Sequence, residues 1–330
     1  MVEVVFFSSK NYVEQYFNSN NNFNFKLKYH NFPLLLDNIS LTKGFDVACL
    51  FVNDIVNADV LYALKNNGVK LIALRCAGYN NVDLATAKKL EIPVVRVPRY
   101  SPYAVAEHTM AMILTLNRKT HKAYNRVKEL NFAIDGLMGF DLNQKTIGVI
   151  GTGAIGSIFI KIAKGFGMKV LAYDVMPNEA LAKELDFKYT SLEEIYKQSN
   201  IITLFCPLTK DNHHLINSKA INLMEQKPMI VNTSRGGLID ATAIIKAIKN
   251  YQISAIGLDV YEEEEKIFFE DFSNSNITDD VLSRLISFNN VLITSHQAFF
   301  TTEAVNAIAN TTLGNIDNYF NKKTLTNQVV

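Results

Sequence analysis

Three cysteines are all that this 330-residue sequence contains, and Cys49, Cys76 and Cys206 stand far apart with no C-x-x-C pair. That excludes a disulfide framework and a cysteine-based zinc site, and it points to a reducing compartment, the cytoplasm. Excess charge is lacking as well. With 33 Lys and Arg against 32 Asp and Glu, the net charge is +1, too little to collect nucleic acid or an anionic membrane. No apolar run approaches the ~20 residues that span a bilayer. The opening MVEVVFFSSK has an early acid and an apolar run too short for an export signal. Nucleic acid, membrane and metal are therefore not expected partners. What the chain does have is apolar material: 48% of its residues are hydrophobic and 20% charged. That suits a globular protein, and the length fits two domains.

Short Val/Ile/Leu-rich runs alternate with amphipathic stretches from end to end, the pattern of parallel sheets covered by helices. Strands are expected at Val2–Phe7, Asp46–Val52, Lys70–Ala73 and Pro93–Val95, with helical spacing at Asp59–Lys65 and Asp83–Leu90 between them. The polar run Asn18–Asn24 predicts an exposed loop. Pro98 and Pro102 bracket a break, after which Tyr103–Arg126 predicts one long helix, apolar on one side and carrying Thr, Asn, Lys and His on the other. A polar connection, Asp135–Gln144, follows. Further strands are expected at Thr146–Ile150, Lys169–Tyr173, Ile201–Phe205, Pro228–Asn232, Ile253–Leu258 and Val291–Thr294. That second series predicts a complete dinucleotide-binding unit in the middle of the chain. The last helix, roughly Thr301–Phe320, is then placed back on the N-terminal domain.

The sharpest local signal is TIGVIGTGAIGS, in which Gly151, Gly153 and Gly156 spell G-x-G-x-x-G between an apolar strand and a helical run. Gly151 permits the tight turn, Gly153 lets the backbone approach a pyrophosphate, and Gly156 lets helix and strand pack closely. The pyrophosphate would rest on the helix N-terminus, against backbone N–H groups around Ala154 and Ile155. Alone, such a pattern also occurs in purely structural turns. Asp174 changes its weight, because it ends the next strand about twenty residues beyond Gly151, where a carboxylate accepts both ribose hydroxyls of NAD. It would repel the 2′-phosphate of NADP, and Val175, Met176 and Pro177 offer no arginine to welcome one. NAD is the expected cofactor.

Three more strand ends carry chemistry. Reducing a 2-oxo acid needs a cation to hold the carboxylate, ideally the planar fork of arginine. It needs an acid to protonate the carbonyl oxygen, which histidine suits near neutral pH. It also needs a carboxylate beside the histidine to favour the imidazolium. The strand PMIVNTS runs out at Arg235, ISAIGLDV at Tyr261 and the acids Glu262–Glu265, and VLITS at His296. Such groups collect beyond the carboxyl ends of open α/β sheets.

IVNTSRGGLID, GLDVYEEEE and ITSHQAFFT resemble the three signature segments of the D-2-hydroxyacid dehydrogenase family. LRCAGYNNVDL, VPRYSPYAVAEHT and PLTKDNHHLIN resemble further family segments, so the likeness runs from about Leu71 to Thr302. It implies an α/β fold of two doubly wound parallel-sheet domains. A Rossmann-type coenzyme domain (101–299) would be inserted into a flavodoxin-like substrate domain (1–100 and 300–330). The family's arginine falls on Arg235 and its histidine on His296. Its glutamate, five residues after Asp259, falls on Glu264, with Glu262 or Glu263 as alternatives. Cofactor contacts are implied at Cys206, Pro207, Asn212, Thr233, Ser234, Arg235 and Asp259, the last near the nicotinamide carboxamide. Substrate contacts are implied at Arg235, His296, the backbone of Ala77 and Gly78, and the side chains of Tyr100 and Phe299. His213 and His214 lie in a loop matched near the nucleotide, while His30, His108 and His121 read as structural. A two-fold dimer through the coenzyme domains, or a multiple of it, is also implied.

Within the family, retention of Glu264 separates this chain from formate dehydrogenases, which carry glutamine there. The chain ends about 30 residues after His296, without the regulatory domain often found in phosphoglycerate dehydrogenases. Bulky Phe299 and Phe300 resemble the branch whose pocket leaves room for a methyl group, so pyruvate is the expected substrate, with 2-oxoisocaproate the alternative. A second class stays open: NAD-binding corepressors share the fold and the three catalytic groups.

Overall fold

The computed structural model describes residues 1–330, apart from the side chain of Lys266. The chain divides into two compact units, Met1–Ser101 with Phe300–Val330, and Pro102–Phe299.

In the first unit β1 (Glu3–Phe6), α1 (Asn11–Ser19), β2 (Lys26–Tyr29), β3 (Val47–Leu50), α2 (Ala58–Asn66), β4 (Leu71–Leu74), α3 (Leu84–Lys89) and β5 (Val94–Val95) follow one another. The five strands are parallel in the order β2-β1-β3-β4-β5, reversing direction between β1 and β3 as in flavodoxin-like sheets. The inner strands VACL and LIAL are buried at every position, as continuous apolar runs covered on both faces must be. Asn57 and Asp83 start α2 and α3 by accepting hydrogen bonds from the backbone N–H groups of Val60 and Thr86.

The second unit runs α4 (Pro102–Arg118), α5 (Thr120–Lys128), β6 (Thr146–Ile150), α6 (Ala154–Gly165), β7 (Lys169–Tyr173), α7 (Glu179–Leu185), β8 (Lys188–Tyr189), α8 (Leu192–Gln198), β9 (Ile201–Leu204), α9 (Ser218–Asn222), β10 (Met229–Asn232), α10 (Ala241–Lys249), β11 (Ala255–Leu258), α11 (Asp280–Ile286) and β12 (Val291–Ile293). Its seven parallel strands lie in the order β12-β11-β10-β9-β6-β7-β8. The chain steps outward from β6 through β7 to β8, then returns to β9 on the other side. That reversal leaves a crevice at the carboxyl ends of β6 and β9, where open α/β sheets bind ligands. The chain then re-enters the first unit as α12 (Thr302–Phe320), capped by the Thr301 side chain. Asn315 Nδ2 donates to Arg96 O at 2.9 Å, and Asn20 Nδ2 to Asn306 Oδ1 at 3.1 Å, tying α12 to that unit. Val94 exchanges backbone hydrogen bonds with Val329 and Val330, so the last residues line the β5 edge.

Three expectations need correction. Tyr103–Arg126 is not one helix: Lys119 takes φ +52° and separates α4 from α5. The polar residues of α4 are not all turned to solvent either. Thr109 and Asn117 are buried, which is tolerable because each is bonded. Thr109 shares a 2.8 Å hydrogen bond with Thr233, and the Asn117 amide pairs with both backbone groups of Phe140. Asn18–Asn24 is only partly loop, since α1 extends to Ser19. The edge strands β2 and β8 add to the expected set.

Candidate active site

The turn after β6 is built around close backbone approach. Gly151 has φ +96°, and a Cβ there would lie 2.7 Å from Cys206 N and 2.7 Å from Phe205 C. A Cβ on Gly156 would meet Gly151 O at 2.0 Å, so only hydrogen fits between α6 and β6. Gly153 is the N-cap of α6, with no side-chain cap and open space where a Cβ would stand. Free backbone donors at the start of α6, including Ala154 and Ile155, therefore face a place another molecule can occupy. Asp174 follows β7. Its Oδ2 accepts from Thr152 N at 2.7 Å and Thr152 Oγ1 at 3.1 Å, and its Oδ1 from Met176 N at 3.0 Å. Partial burial opposes its charge, but those hydrogen bonds outweigh it and hold the carboxyl below the usual carboxylate range. Such a turn, helix start and ionised carboxylate fit a dinucleotide.

On the far side of the crevice, Cys206 O accepts from Ser234 Oγ at 2.6 Å, and Asn212 Nδ2 donates to Pro207 O at 2.8 Å. Burial pushes the Cys206 thiol up to about 11, which keeps it protonated near neutral pH. Thr233 is buried against α4 through Thr109.

Neighbouring strand ends carry the remaining groups. After β10, Asn232 accepts from Ser234 N and donates to Arg235 O, fixing a turn from which the exposed Arg235 projects. After β11, Glu264 Oε2 accepts from Tyr261 N at 2.8 Å. After β12, His296 has φ +52° and its N–H donates to Asp259 O at 2.7 Å. Such a backbone is uncommon outside glycine and is sustained where surroundings fix it. The result is a 2.6 Å contact between His296 Nδ1 and Glu264 Oε1. A carboxylate oxygen accepts, so Nδ1 carries the hydrogen and Nε2 is the nitrogen able to exchange a proton with a substrate. Glu264, of the four consecutive acids, is the one placed on His296. Glu262 instead accepts from His213 and His214.

Asp259 is fully buried. It takes hydrogen bonds from Thr294 Oγ1 at 2.6 Å, Gln297 N at 2.9 Å and Ala298 N at 2.9 Å, which staple the segment around His296 to the end of β11. His108 joins this group through Thr294 Oγ1 at 3.1 Å and Asp259 Oδ1 at 3.4 Å. The sequence reads His108 as a structural residue of the helix, without its partners. Its register with Val105, Thr109 and Met112, all buried, was the available signal. Phe299 is the last residue of the second unit and is nearly buried. Ala77, Gly78 and Tyr100 belong to the first unit. Ala77 and Gly78 follow β4, where Arg96 Nη1 donates to Ala77 O at 2.7 Å and Cys76 Sγ to Gly78 O at 3.3 Å.

A basic fork, an imidazole backed by a carboxylate and a dinucleotide turn suit hydride exchange with a 2-oxo acid. Residues 110–298 match the family model described as D-isomer specific 2-hydroxyacid dehydrogenase, NAD binding domain. The chain belongs to that family. It is an NAD-dependent oxidoreductase, and bound NAD supplies the hydride acceptor or, reduced, the donor. This family member is 48% identical over 330 residues to the D-lactate dehydrogenase of Escherichia coli, with both chains covered completely. The apo-structure of D-lactate dehydrogenase from that organism superposes with a TM-score of 0.93 over 100% of each chain. The pyruvate reductase of Chlamydomonas reinhardtii gives 0.95 at 42% identity, covering 99% of this chain and 98% of that one. A D-2-hydroxyisocaproate dehydrogenase gives 0.86 at 31% identity, with 99% of each chain covered. No helix among the described residues is long and apolar enough to cross a membrane.

Proposed function

We propose that the protein is a D-lactate dehydrogenase, interconverting pyruvate and D-lactate with NADH and NAD. The observation that carries the choice of substrate is the contrast in likeness between solved structures: 46% identity to the D-lactate dehydrogenase of Escherichia coli against 31% to a D-2-hydroxyisocaproate dehydrogenase, both over essentially full length. Bulky Phe299 and Phe300 support the same reading, since large side chains leave room for a methyl group.

In this reading Arg235 grips the substrate carboxylate and His296 Nε2 gives its proton to the carbonyl oxygen. Glu264 stabilises the imidazolium. Gly151, Gly153, Ala154, Ile155 and Gly156 cradle the pyrophosphate, and Asp174 takes the ribose hydroxyls. Cys206, Pro207, Asn212, Thr233, Ser234 and Asp259 are assigned to the remaining cofactor contacts, Cys206 through its backbone. Ala77, Gly78, Tyr100 and Phe299 are assigned to substrate. The wide sequence spacing of only three cysteines supports a reducing compartment, taken as the cytoplasm. A homodimer is supported by the segment after α5, where Leu130, Phe132, Ile134 and Met138 are 79%, 71%, 80% and 87% exposed, more apolar surface than an isolated chain ordinarily shows in one stretch.

The test of substrate is a steady-state comparison of pyruvate, 2-oxobutyrate and 2-oxoisocaproate with NADH. Pyruvate should give the highest kcat/KM. A maximum at 2-oxoisocaproate would assign the protein to the larger-substrate branch, and no turnover with any of the three would favour a regulatory NAD-binding role.

A further inference from the structure

Among the described residues, one set of three donor side chains outside the groups above converges closely enough to hold an ion. His213, His214 and Glu262 each bring one ligand atom within 4.8 Å of the others. A search by cysteine spacing passes over such a set. The two histidines lie between β9 and α9, and Glu262 follows β11. His213 Nε2 sits 2.7 Å from Glu262 Oε1, and His214 Nε2 sits 2.8 Å from Oε2.

Residues adjacent in an extended chain point to opposite sides. These two do not. Their rings stack at 3.8 Å between centroids and 25° between planes, presenting the same nitrogen to one carboxylate. The backbone is arranged to allow this. His214 takes φ +53°, donates its N–H to Gly237 O at 2.7 Å, and accepts from Asn217 Nδ2 at 2.9 Å. Gly237 lies against the cluster. A Cβ there would stand 3.4 Å from Glu262 Oε1, 3.4 Å from His213 Cδ2 and 2.9 Å from the Leu208 side chain. Glu262 also lines a cavity of about 460 Å³ together with Glu263, Glu265, Phe272, Ile277 and Asp279. Its carboxylates present a negative approach to a cation, and its volume accommodates water beside Glu262.

We propose that His213, His214 and Glu262 form a binding site for a divalent transition metal of the zinc type, with water from the cavity completing the coordination shell. Two imidazoles and one carboxylate are a donor set for Zn²⁺, Co²⁺, Ni²⁺ or Cu²⁺, not for Mg²⁺ or Ca²⁺, which take oxygen ligands. Zinc–ligand bonds of about 2.0–2.2 Å in a tetrahedral shell set ligand atoms ~3.3 Å apart. The imidazoles need draw back from the carboxylate by only about half an ångström, each giving up the hydrogen that Nε2 now shares with Glu262 and carrying its remaining one on Nδ1. Side-chain exposures of 48% for His213 and 34% for His214 and Glu262 leave an ion a way in. The site is distinct from the catalytic pair, because Glu264 is engaged by His296 and Tyr261 N. One acidic run thus serves two clusters.

The test uses the full-length protein stripped of adventitious metal by a chelator. Co²⁺ should bind at one equivalent with visible d–d bands and be displaced by Zn²⁺. Competition with a chromophoric chelator should show Zn²⁺ binding weakened at least about tenfold in each of His213→Ala, His214→Gln and Glu262→Gln, and unchanged in His296→Gln. Circular dichroism of each metal-free variant identifies any that fails to fold. The exposed His213→Ala decides the matter alone if the others do. Failure to bind metal stoichiometrically, binding that survives His213→Ala, or binding lost only with His296→Gln would each overturn the proposal. In the first two cases the cluster is a hydrogen-bonded clamp.

Discussion

Two oxygens of one carboxylate decide what the histidine after β12 does. Glu264 Oε1 meets His296 Nδ1 at 2.6 Å while Oε2 is held by Tyr261 N, so the carboxylate is fixed before it fixes the ring. Replacing Glu264 by Gln removes the acceptor charge that holds the His296 ring. Turnover of pyruvate should then fall by at least about tenfold, with NADH binding little changed. His296→Ala should instead lower kcat about 10²–10⁴-fold at every pH, with NADH binding little changed. Turnover unmoved by Glu264→Gln but lowered by Glu262→Gln would show the pair to be assigned wrongly. Asp174 carries a second residue-scale expectation. Burial works against its charge, and the hydrogen bonds from Thr152 and Met176 win. A carboxyl lowered in the folded protein keeps its charge until the pH falls through that lowered value. KM for NADH should therefore stay flat from about pH 8 to about pH 5.5, and Asp174→Ala should narrow the preference for NADH over NADPH. A steep rise in KM within that range, or no change in preference, would contradict the ribose assignment. At this scale strand ends and residue chemistry point to Arg235, His296 and an acid among Glu262–Glu265, while Glu264 is chosen by the family resemblance and is the acid that meets His296. The sequence reads His108 as structural but leaves its partners illegible, because Thr294 and Asp259 come together only across the sheet.

Elements were legible where burial left a pattern and illegible where it did not. The expected bounds of β6 and β7 match the observed strands, and β9 to β12 differ only at their ends; in β6, β9, β10 and β11 two-sided burial enforces unbroken apolar runs. The strands β2 (KLKY) and β8 (KY) were missed. Both are edge strands with exposed lysines, and an edge partner needs backbone hydrogen bonds more than apolar side chains. The break between α4 and α5 was hidden because local spacing continues through it. Only the structure shows Lys119 turned left-handed, with Nζ donating to Gly136 O and Met138 O. That contact, with Arg126 Nη1 donating to Ala133 O and Asp135 O, orders the segment carrying Leu130, Phe132, Ile134 and Met138. If a second copy covers those side chains, the wild type should sediment as a dimer, and Phe132→Glu with Ile134→Glu should shift it toward monomer. A monomeric wild type, or a dimer indifferent to both charges, would place the interface elsewhere.

At the scale of the molecule, the strand order explains why the residues assigned to coenzyme and to catalysis share one unit. The reversal between β6 and β9 opens the crevice for the glycine turn, and β10, β11 and β12 bring Arg235, Glu264 and His296 to successive strand ends on the same side. The repeated strand–helix alternation makes this architecture legible from the sequence. Identification of pyruvate rests instead on side-chain bulk and on likeness to relatives, neither of which periodicity supplies. The most direct test of the central claim is to incubate the purified protein with NADH and pyruvate and resolve the lactate enantiomers formed. The account predicts D-lactate alone, in amounts equal to the NADH consumed. L-lactate, or NADH oxidation without lactate, would contradict it.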